Sequence, residues 1–263
     1  MTDSFSTPVA QLLTLGEEPA RRPEWPDYLA LGLTAEHVPE LIRLAVDHDL
    51  WQSESESDDV WGPLHAYRAL GQLRAEDAAE PLTKLLDDNL DNDWVFDEMP
   101  MVLGMIGRAA IPHARALLAR TGVDETSRWA SASTLRFVAQ RHPDARDEAI
   151  GTLVEALLKW PDEDPTMNAI LVWALADLGA VEAAPIMEAA FEADAVDLQI
   201  GGDWEDVQVR LGLLPDRIHP RTPVRVFLPP PQPTGVRPPA RGNPTPKNQR
   251  KAARKARKRN RRK

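Results

Sequence analysis

The sequence predicts an all-α protein, a right-handed α-solenoid of about five stacked helix pairs that leads into a disordered proline-rich linker and a basic tail. Two observations predict the solenoid: a motif of small, apolar and proline residues that recurs along the chain, and a tryptophan that recurs in register with it. A third observation, an abrupt change of composition after Asp216, predicts the linker and the tail. Self-similarity with a period of about 20 to 50 residues is typical of solenoids.

Each copy of the motif places a small residue among apolar ones, and a second stretch of small and apolar residues, usually with a proline, begins six to twelve residues after the first. The copies are LGL (31–33) with PELI (39–42), ALGQL (69–73) with AAEPL (78–82), LGMI (103–106) with AAIP (109–112), FVA (137–139) with AIGTL (149–153), and LADL (175–178) with AAPI (183–186). The fourth copy lacks the proline.

This order is typical of an antiparallel helix pair. The small residue marks the end of the first helix, where a tight turn needs either a positive φ or close packing. The proline lies in the first turn of the second helix, where a missing N–H matters least. One such pair cannot bury its own apolar face, so we expect consecutive pairs to stack.

A column of tryptophans supports this register. Trp61, Trp94 and Trp129 each precede by ten residues the small residue that ends a first helix, and each follows candidate helix caps. Two interpretations stay open. Either the column packs between neighbouring repeats, as large aromatic side chains usually do, or it forms an exposed ladder for a partner. In the second case the partner-binding residues are Trp61, His65, Trp94, Glu98 and Trp129.

The motifs resemble the HEAT-like repeats of bacterial proteins, including those of phycobilin lyases, over about residues 25–195. The resemblance implies an α-solenoid with a protein-binding or scaffolding role in a bacterial protein, and it transfers no active site. The predicted organisation is N-terminal capping helices with a first half-repeat (1–33), the repeat solenoid (34–200), a C-terminal capping helix (201–215), the proline-rich linker (216–246) and the basic disordered tail (247–263).

The charge is divided sharply between body and tail. Residues 1–216 hold all 41 acidic residues and only 15 lysines and arginines, a net charge of −26, whereas residues 217–263 carry +16. A basic run of this kind predicts contact with RNA, the ribosome or another polyanion. The alternative is that the tail docks on the acidic body of its own chain. The tail cations are Lys247, Arg250, Lys251, Arg254, Lys255, Arg257, Lys258, Arg259, Arg261, Arg262 and Lys263.

One segment partly matches a calcium loop. In residues 87–98, acidic and amide side chains occupy positions 1, 3, 5, 7 and 12 of an EF-hand. The glycine needed at position 6 is replaced by Asn92, and Trp94 already belongs to a helix start. The favoured interpretation is a polar loop with helix caps, so no metal and no cofactor is expected.

The sequence therefore predicts a non-enzymatic adaptor or scaffold, cytoplasmic and without a membrane partner, whose solenoid binds a protein and whose tail binds nucleic acid or the ribosome. Cysteine is absent, and no zinc-spaced histidines, phosphate loop or nucleophile motif occurs. Alternatives are an accessory subunit of a lyase-like enzyme, and an assembly factor whose tail docks internally.

Overall fold

The computed structural model describes residues 5–17, 24–53, 57–121 and 125–220. The chain divides into two units, residues 1–220 and 221–263. The predicted linker beyond Pro220, and every cation assigned to the basic tail, lie outside the described residues. All the described helices therefore belong to the first unit.

The described part of the chain is helical and contains no strand. Its α-helices are α1 (Thr7–Ala10), α2 (Val38–Ala45), α3 (His48–Gln52), α4 (Gly62–Gln72), α5 (Ala79–Asp88), α6 (Asp93–Ile106), α7 (Ile111–Leu118), α8 (Glu125–Arg141), α9 (Arg146–Leu157), α10 (Pro165–Asp177), α11 (Ala184–Glu192), α12 (Leu198–Gly201) and α13 (Trp204–Arg210). Short 3-10 turns join several of them, among them Gln11–Thr14, Leu29–Leu31, Asp58–Trp61 and Glu76–Ala78.

The longer helices form two layers, as the predicted solenoid requires. Helices α4, α6, α8 and α10 stack on one another in what we term the A layer, and α2, α5, α7, α9 and α11 stack beside them in the B layer. Four complete helix pairs result. An incomplete pair precedes them, in which the short 3-10 turns Leu29–Leu31 and Ala35–His37 stand before the B-layer helix α2. The all-α solenoid is thus confirmed, while its right-handed sense stays a prediction.

The prolines of the motif lie where the sequence predicts them. Pro39, Pro112 and Pro185 are the second residues of α2, α7 and α11, and Pro81 is the third residue of α5. At these positions the missing N–H breaks no hydrogen bond within the helix. The prolines therefore mark the starts of the B-layer helices.

A small residue of the motif allows close helix packing and does not form the turn itself. Gly104 lies in the last turns of α6, and a Cβ placed on it would lie 2.3 Å from the Cβ of Phe137 in α8. Its missing side chain lets the two helices approach closely. The left-handed turn comes three residues later, at Gly107 with a φ of 95°, and the same offset separates Gly71 from Arg74, whose φ is 51°.

No long A-layer helix precedes α2 among residues 5–17 and 24–37, and the N-terminal segment packs on α4 in its place. Helix α4 is buried from Gly62 to Gly71, and Leu13 packs so closely on Gly62 that a Cβ there would lie 2.6 Å from the Leu13 Cδ2. The side chain of Gln72 accepts a hydrogen bond from the backbone N–H of Tyr28 (2.9 Å) and donates one to the carbonyl of Pro26 (2.8 Å). The segment therefore closes this end of the solenoid.

The other end is closed by α13, which packs on α10. Arg217 donates hydrogen bonds to both carboxylate oxygens of Asp203 (2.6 and 2.7 Å), and it lies 2.7 Å from Asp206. The Arg217 guanidinium lowers the pKa of Asp203 to about 2. Residues of the sequence-predicted linker that precede Arg221 thus contact α13.

Candidate protein-binding site

The tryptophan column divides between the core and the surface of the A layer. Trp61 ends the 3-10 turn before α4 and is only 5% exposed. Its ring meets that of Trp94, near the start of α6, edge to face at 5.8 Å between centroids. Such an arrangement is the preferred geometry of aromatic pairs. The packing interpretation therefore describes Trp61 and Trp94, and Trp61 offers a partner almost no surface.

His65 lies entirely inside the fold. Its Nδ1 is 2.8 Å from the hydroxyl of Tyr28, and its Nε2 is 3.0 Å from the carbonyl oxygen of Gly16. A neutral ring that donates from Nε2 and accepts at Nδ1 satisfies both partners. Burial lowers the pKa of His65 to about 4 and raises that of Tyr28 to about 12. The predicted contact of His65 with a partner is therefore corrected, because a fully buried side chain has no surface to offer.

Glu98 also points inward, toward α4. It accepts a hydrogen bond from the Arg68 Nε (2.7 Å) and a second one from the Arg68 Nη2. The hydroxyl of Tyr67 donates to the same carboxylate at 3.0 Å. Arg68 is 1% exposed, and its guanidinium lies 5.0 Å from the ring centroid of Trp25 and 5.8 Å from that of Trp94.

Glu98 keeps the buried Arg68 charged. Burial alone lowers the pKa of Arg68, but the hydrogen bonds and the charge of Glu98 raise it overall. Burial raises the pKa of Tyr67 well above its usual value, so Tyr67 stays a hydrogen-bond donor. A buried ion pair of this geometry fixes the relative position of its two helices. Glu98 therefore joins α4 to α6 rather than facing a partner.

Trp129 is the one member of the predicted set that lies on the outer side of α8. The buried residues of α8 share one side of the helix, and Trp129 lies half-buried on the opposite side with Ser133, Arg136 and Gln140. Its indole N–H is covered and has no hydrogen-bond acceptor among the described residues.

Residues 87–98 form the end of α5, a short turn and the first part of α6. Asp87, at the end of α5, accepts hydrogen bonds from Arg120 (2.5 Å) and from the Ser127 hydroxyl (2.8 Å). Asn92 caps α6, since its side chain accepts from the N–H of Trp94 at 3.1 Å. In the described part of the chain, no three His, Asp or Glu side chains converge closely enough to hold a metal ion.

Arginine–carboxylate pairs link neighbouring repeats along the whole stack. Arg128 is bidentate to Glu163 across one repeat, and Arg136 contacts Asp177 at 2.9 Å. The hydrogen bond and charge of Glu163 raise the pKa of Arg128, and the pKa of Glu163 is lowered in turn. Further pairs of this kind are Arg108–Glu148, Arg115–Glu155 and Arg146–Glu182. Most of the described arginines of the acidic body are therefore in ion pairs.

Two adjoining grooves cross the B layer, and we term them the B-layer grooves. One, of about 240 Å³, lies between α5 and α7 and is lined by Lys84, Asp87 and Arg120. The other, of about 200 Å³, lies between α7 and α9 and is lined by Arg115, Glu155 and Lys159. Side chains of both charges thus line these grooves, which lie across three consecutive repeats.

Sequence reasoning did not single out these groove residues. The signal it had was weak: in each B-layer helix the exposed charges lie opposite the apolar positions, as in any amphipathic helix. Only the stacking of α5, α7 and α9 brings Lys84, Arg115 and Glu155 onto one surface.

Comparison with known families agrees with this architecture. Residues 66–88, which span most of α4 and α5, match the family model described as the PBS lyase HEAT-like repeat. Comparison with curated proteins and with solved structures gives no significant match. Among the described residues, none of the helices combines the length and the apolar character needed to cross a bilayer. The matched segment spans most of one helix pair of the stack, and the match supports a HEAT-like repeat protein.

Proposed function

We propose that the chain is a non-enzymatic protein-binding adaptor or scaffold that holds a polypeptide partner in its B-layer grooves, while its basic tail contacts nucleic acid or the ribosome. The observation that carries the proposal is the pair of grooves that flank α7, one against α5 and the other against α9. HEAT-like repeats generally mediate contacts between proteins, and stacked repeats offer extended surfaces for this purpose.

The size and lining of the grooves favour a polypeptide over a small molecule. Sites for small molecules are mostly apolar clefts of roughly 300 to 1,000 Å³. The B-layer grooves hold about 240 and 200 Å³ each and are lined largely by charged and polar side chains. Lys84 and Lys159 are exposed and make no ion pair among the described residues. They are therefore available to carboxylates of a partner.

The composition of the tail supports the proposed contact with nucleic acid or the ribosome. Residues 247–263 carry 11 lysines and arginines and no acid. Neutralising a phosphate releases a bound counterion, so binding to a polyanion through such a segment weakens steeply as salt rises. The tail and the grooves would then recognise different partners.

The test is affinity capture with the full chain and two variants, followed by mass spectrometry and nucleic-acid staining. In the first variant Lys84→Glu and Lys159→Glu reverse the charge of the grooves. In the second, the 11 tail cations are replaced by glutamine; we term this chain the tail-neutralised chain. The matched control is Arg74→Asp, which reverses an exposed charge outside the grooves at a position whose φ of 51° asparagine and aspartate tolerate.

The proposal expects a set of proteins that the groove variant loses and the Arg74→Asp control retains, and nucleic acid that only the tail-neutralised chain loses. Recovery of the same proteins by the groove variant would refute the groove as the binding surface. A tail-neutralised chain that keeps all its ligands but changes its sedimentation coefficient would support the assembly factor with an internally docked tail.

A further inference from the structure

A continuous ladder of arginine and aromatic side chains crosses the A layer, away from the B-layer grooves. The Arg141 guanidinium lies 5.0 Å from the ring centroid of Phe137, and Arg136 lies 4.2 Å from the same ring. Arg136 also lies 4.7 Å from the ring of Trp173 in α10, over which Arg210 of α13 lies at 6.0 Å. We term these five residues the arginine ladder. All but the exposed Arg141 and Arg210 are half-buried.

The ladder carries uncompensated positive charge in an acidic body. Arg136 is paired with Asp177. Arg141 and Arg210, in contrast, make no ion pair among the described residues. This is unusual in a body whose first 216 residues hold 41 acids against 15 lysines and arginines. Partial desolvation and the nearby charge of Arg136 lower the pKa of Arg141, in agreement with two guanidinium groups held close together. The rings orient these groups through cation–π contacts.

Two hydrogen-bond donors on the same side of α8 lack acceptors. The Arg136 Nε and the Trp129 Nε1 are covered, and neither finds an acceptor within the described residues. A covered N–H without a partner is unfavourable, commonly by about 1 to 3 kcal/mol. Because both atoms are covered, a docked partner does not reach them. The donors it can reach are the exposed guanidinium groups of Arg141 and Arg210, which suit a carboxylate because a carboxylate only accepts hydrogen bonds.

We propose that the arginine ladder binds an acidic, extended segment of a partner protein, with carboxylates on Arg141 and Arg210 and the intervening residues over Phe137 and Trp173. Tryptophan and arginine are the side chains most enriched in binding hot spots. A nucleic acid fits less well, because proteins that bind it neutralise several phosphates in a row, whereas the ladder offers only two exposed arginines, Arg141 and Arg210.

The probe is a fluorescein-labelled ten-residue peptide that alternates glutamate and serine, and its counterpart with glutamine in place of glutamate. Binding is followed by fluorescence anisotropy with the tail-neutralised chain, in which the tail cations cannot bind the peptide. The variants are Arg141→Asn, Arg210→Asn and the double substitution. The control is Arg74→Asn, which removes one exposed arginine outside the ladder.

The glutamate peptide should bind and the glutamine peptide should not. Each ladder substitution should weaken binding about fivefold and the double substitution more than tenfold, as expected for charge-assisted hydrogen bonds at a partly desolvated site. Arg74→Asn should bind like the parent, and all variants should keep its circular dichroism spectrum. Equal binding by the ladder variants and the control would overturn the proposal.

A labelled ten-residue oligothymidylate distinguishes the nucleic-acid alternative. If it binds the ladder more tightly than the glutamate peptide, and the ladder substitutions remove that binding, the surface recognises nucleic acid and the acidic peptide is the wrong partner. The ladder and the B-layer grooves share no residue, so the ladder test can fail while the groove test succeeds, and the reverse.

Discussion

Replacing Gly104 by alanine tests whether the stack depends on the close approach of α6 to α8. The new Cβ would lie 2.3 Å from the Cβ of Phe137 and 3.1 Å from its backbone carbonyl carbon. Ordinary carbon contacts begin near 3.5 Å. Because the nearest atoms belong to the backbone and to a Cβ, no side-chain rotation relieves the clash, and the two helices must separate by about 1 Å.

The magnitude follows from two opposing effects. Inserting a methyl group into a closely packed interface destabilises by about 1 to 3 kcal/mol. Alanine favours the helical state over glycine by about 0.5 to 1 kcal/mol. The packing effect is the larger one, so Gly104→Ala should destabilise the fold by about 1 to 2 kcal/mol.

Gly151 provides the matched control. It lies inside α9, and a Cβ placed on it meets no atom within 4 Å. Gly151→Ala should therefore show the helical preference alone and stabilise the fold by about 0.5 to 1 kcal/mol. Urea denaturation followed by circular dichroism at 222 nm measures both changes, and thermal melts should separate the two variants by several degrees. A Gly104→Ala chain as stable as the Gly151→Ala chain would refute the close approach of α6 and α8.

Three further predictions concern the buried network and the acidic loop. The pKa of His65 falls to about 4 on folding from its usual value near 6.5. The neutral ring therefore contributes to the free energy of unfolding above pH 6.5, and this contribution is lost as the pH drops toward 4. In urea titrations, His65→Gln should reduce the change in stability over this pH range by up to about 3 kcal/mol. Glu98→Gln leaves the buried Arg68 without its carboxylate and should lower stability by about 3 to 5 kcal/mol, whereas Asp97→Asn on the exposed side of α6 should not; equal melting temperatures would argue against the pair. Added calcium should leave the melting temperature unchanged, because Asp87 already binds Arg120 and Ser127; a rise would revive the loop as a metal site.

The helix pairs could be predicted from the sequence because their signals are local. A proline in the first turn affects only the backbone of its own helix. A small residue at a helix crossing permits one close contact between neighbouring repeats, and that contact recurs along the stack. Pro81 and Gly104 therefore mark their repeats correctly even without knowledge of the whole stack. The tryptophan register has the same origin, since Trp61 and Trp94 occupy equivalent positions of consecutive repeats and contact each other.

The burial of His65 could not be predicted in this way. Its two partners, Tyr28 and the carbonyl of Gly16, lie 37 and 49 residues away, in a segment that has no repeat motif of its own. The described part of that segment forms no long A-layer helix. It packs on α4 instead and covers a side that is exposed in an isolated helix pair. A histidine four residues after Trp61 then lies inside the fold.

The sequence alone could not predict which arginine pairs with which acid in the next repeat. Arg68 and Glu98 are separated by 30 residues, and Arg136 and Asp177 by 41. With 41 acids in the first 216 residues, every arginine has several acids near one repeat length away, so spacing alone cannot select a partner. The same abundance of acids makes an arginine without an ion pair unexpected in this body. Arg141 and Arg210 are held over aromatic rings instead, and this is the physical reason for assigning them to a partner's carboxylates.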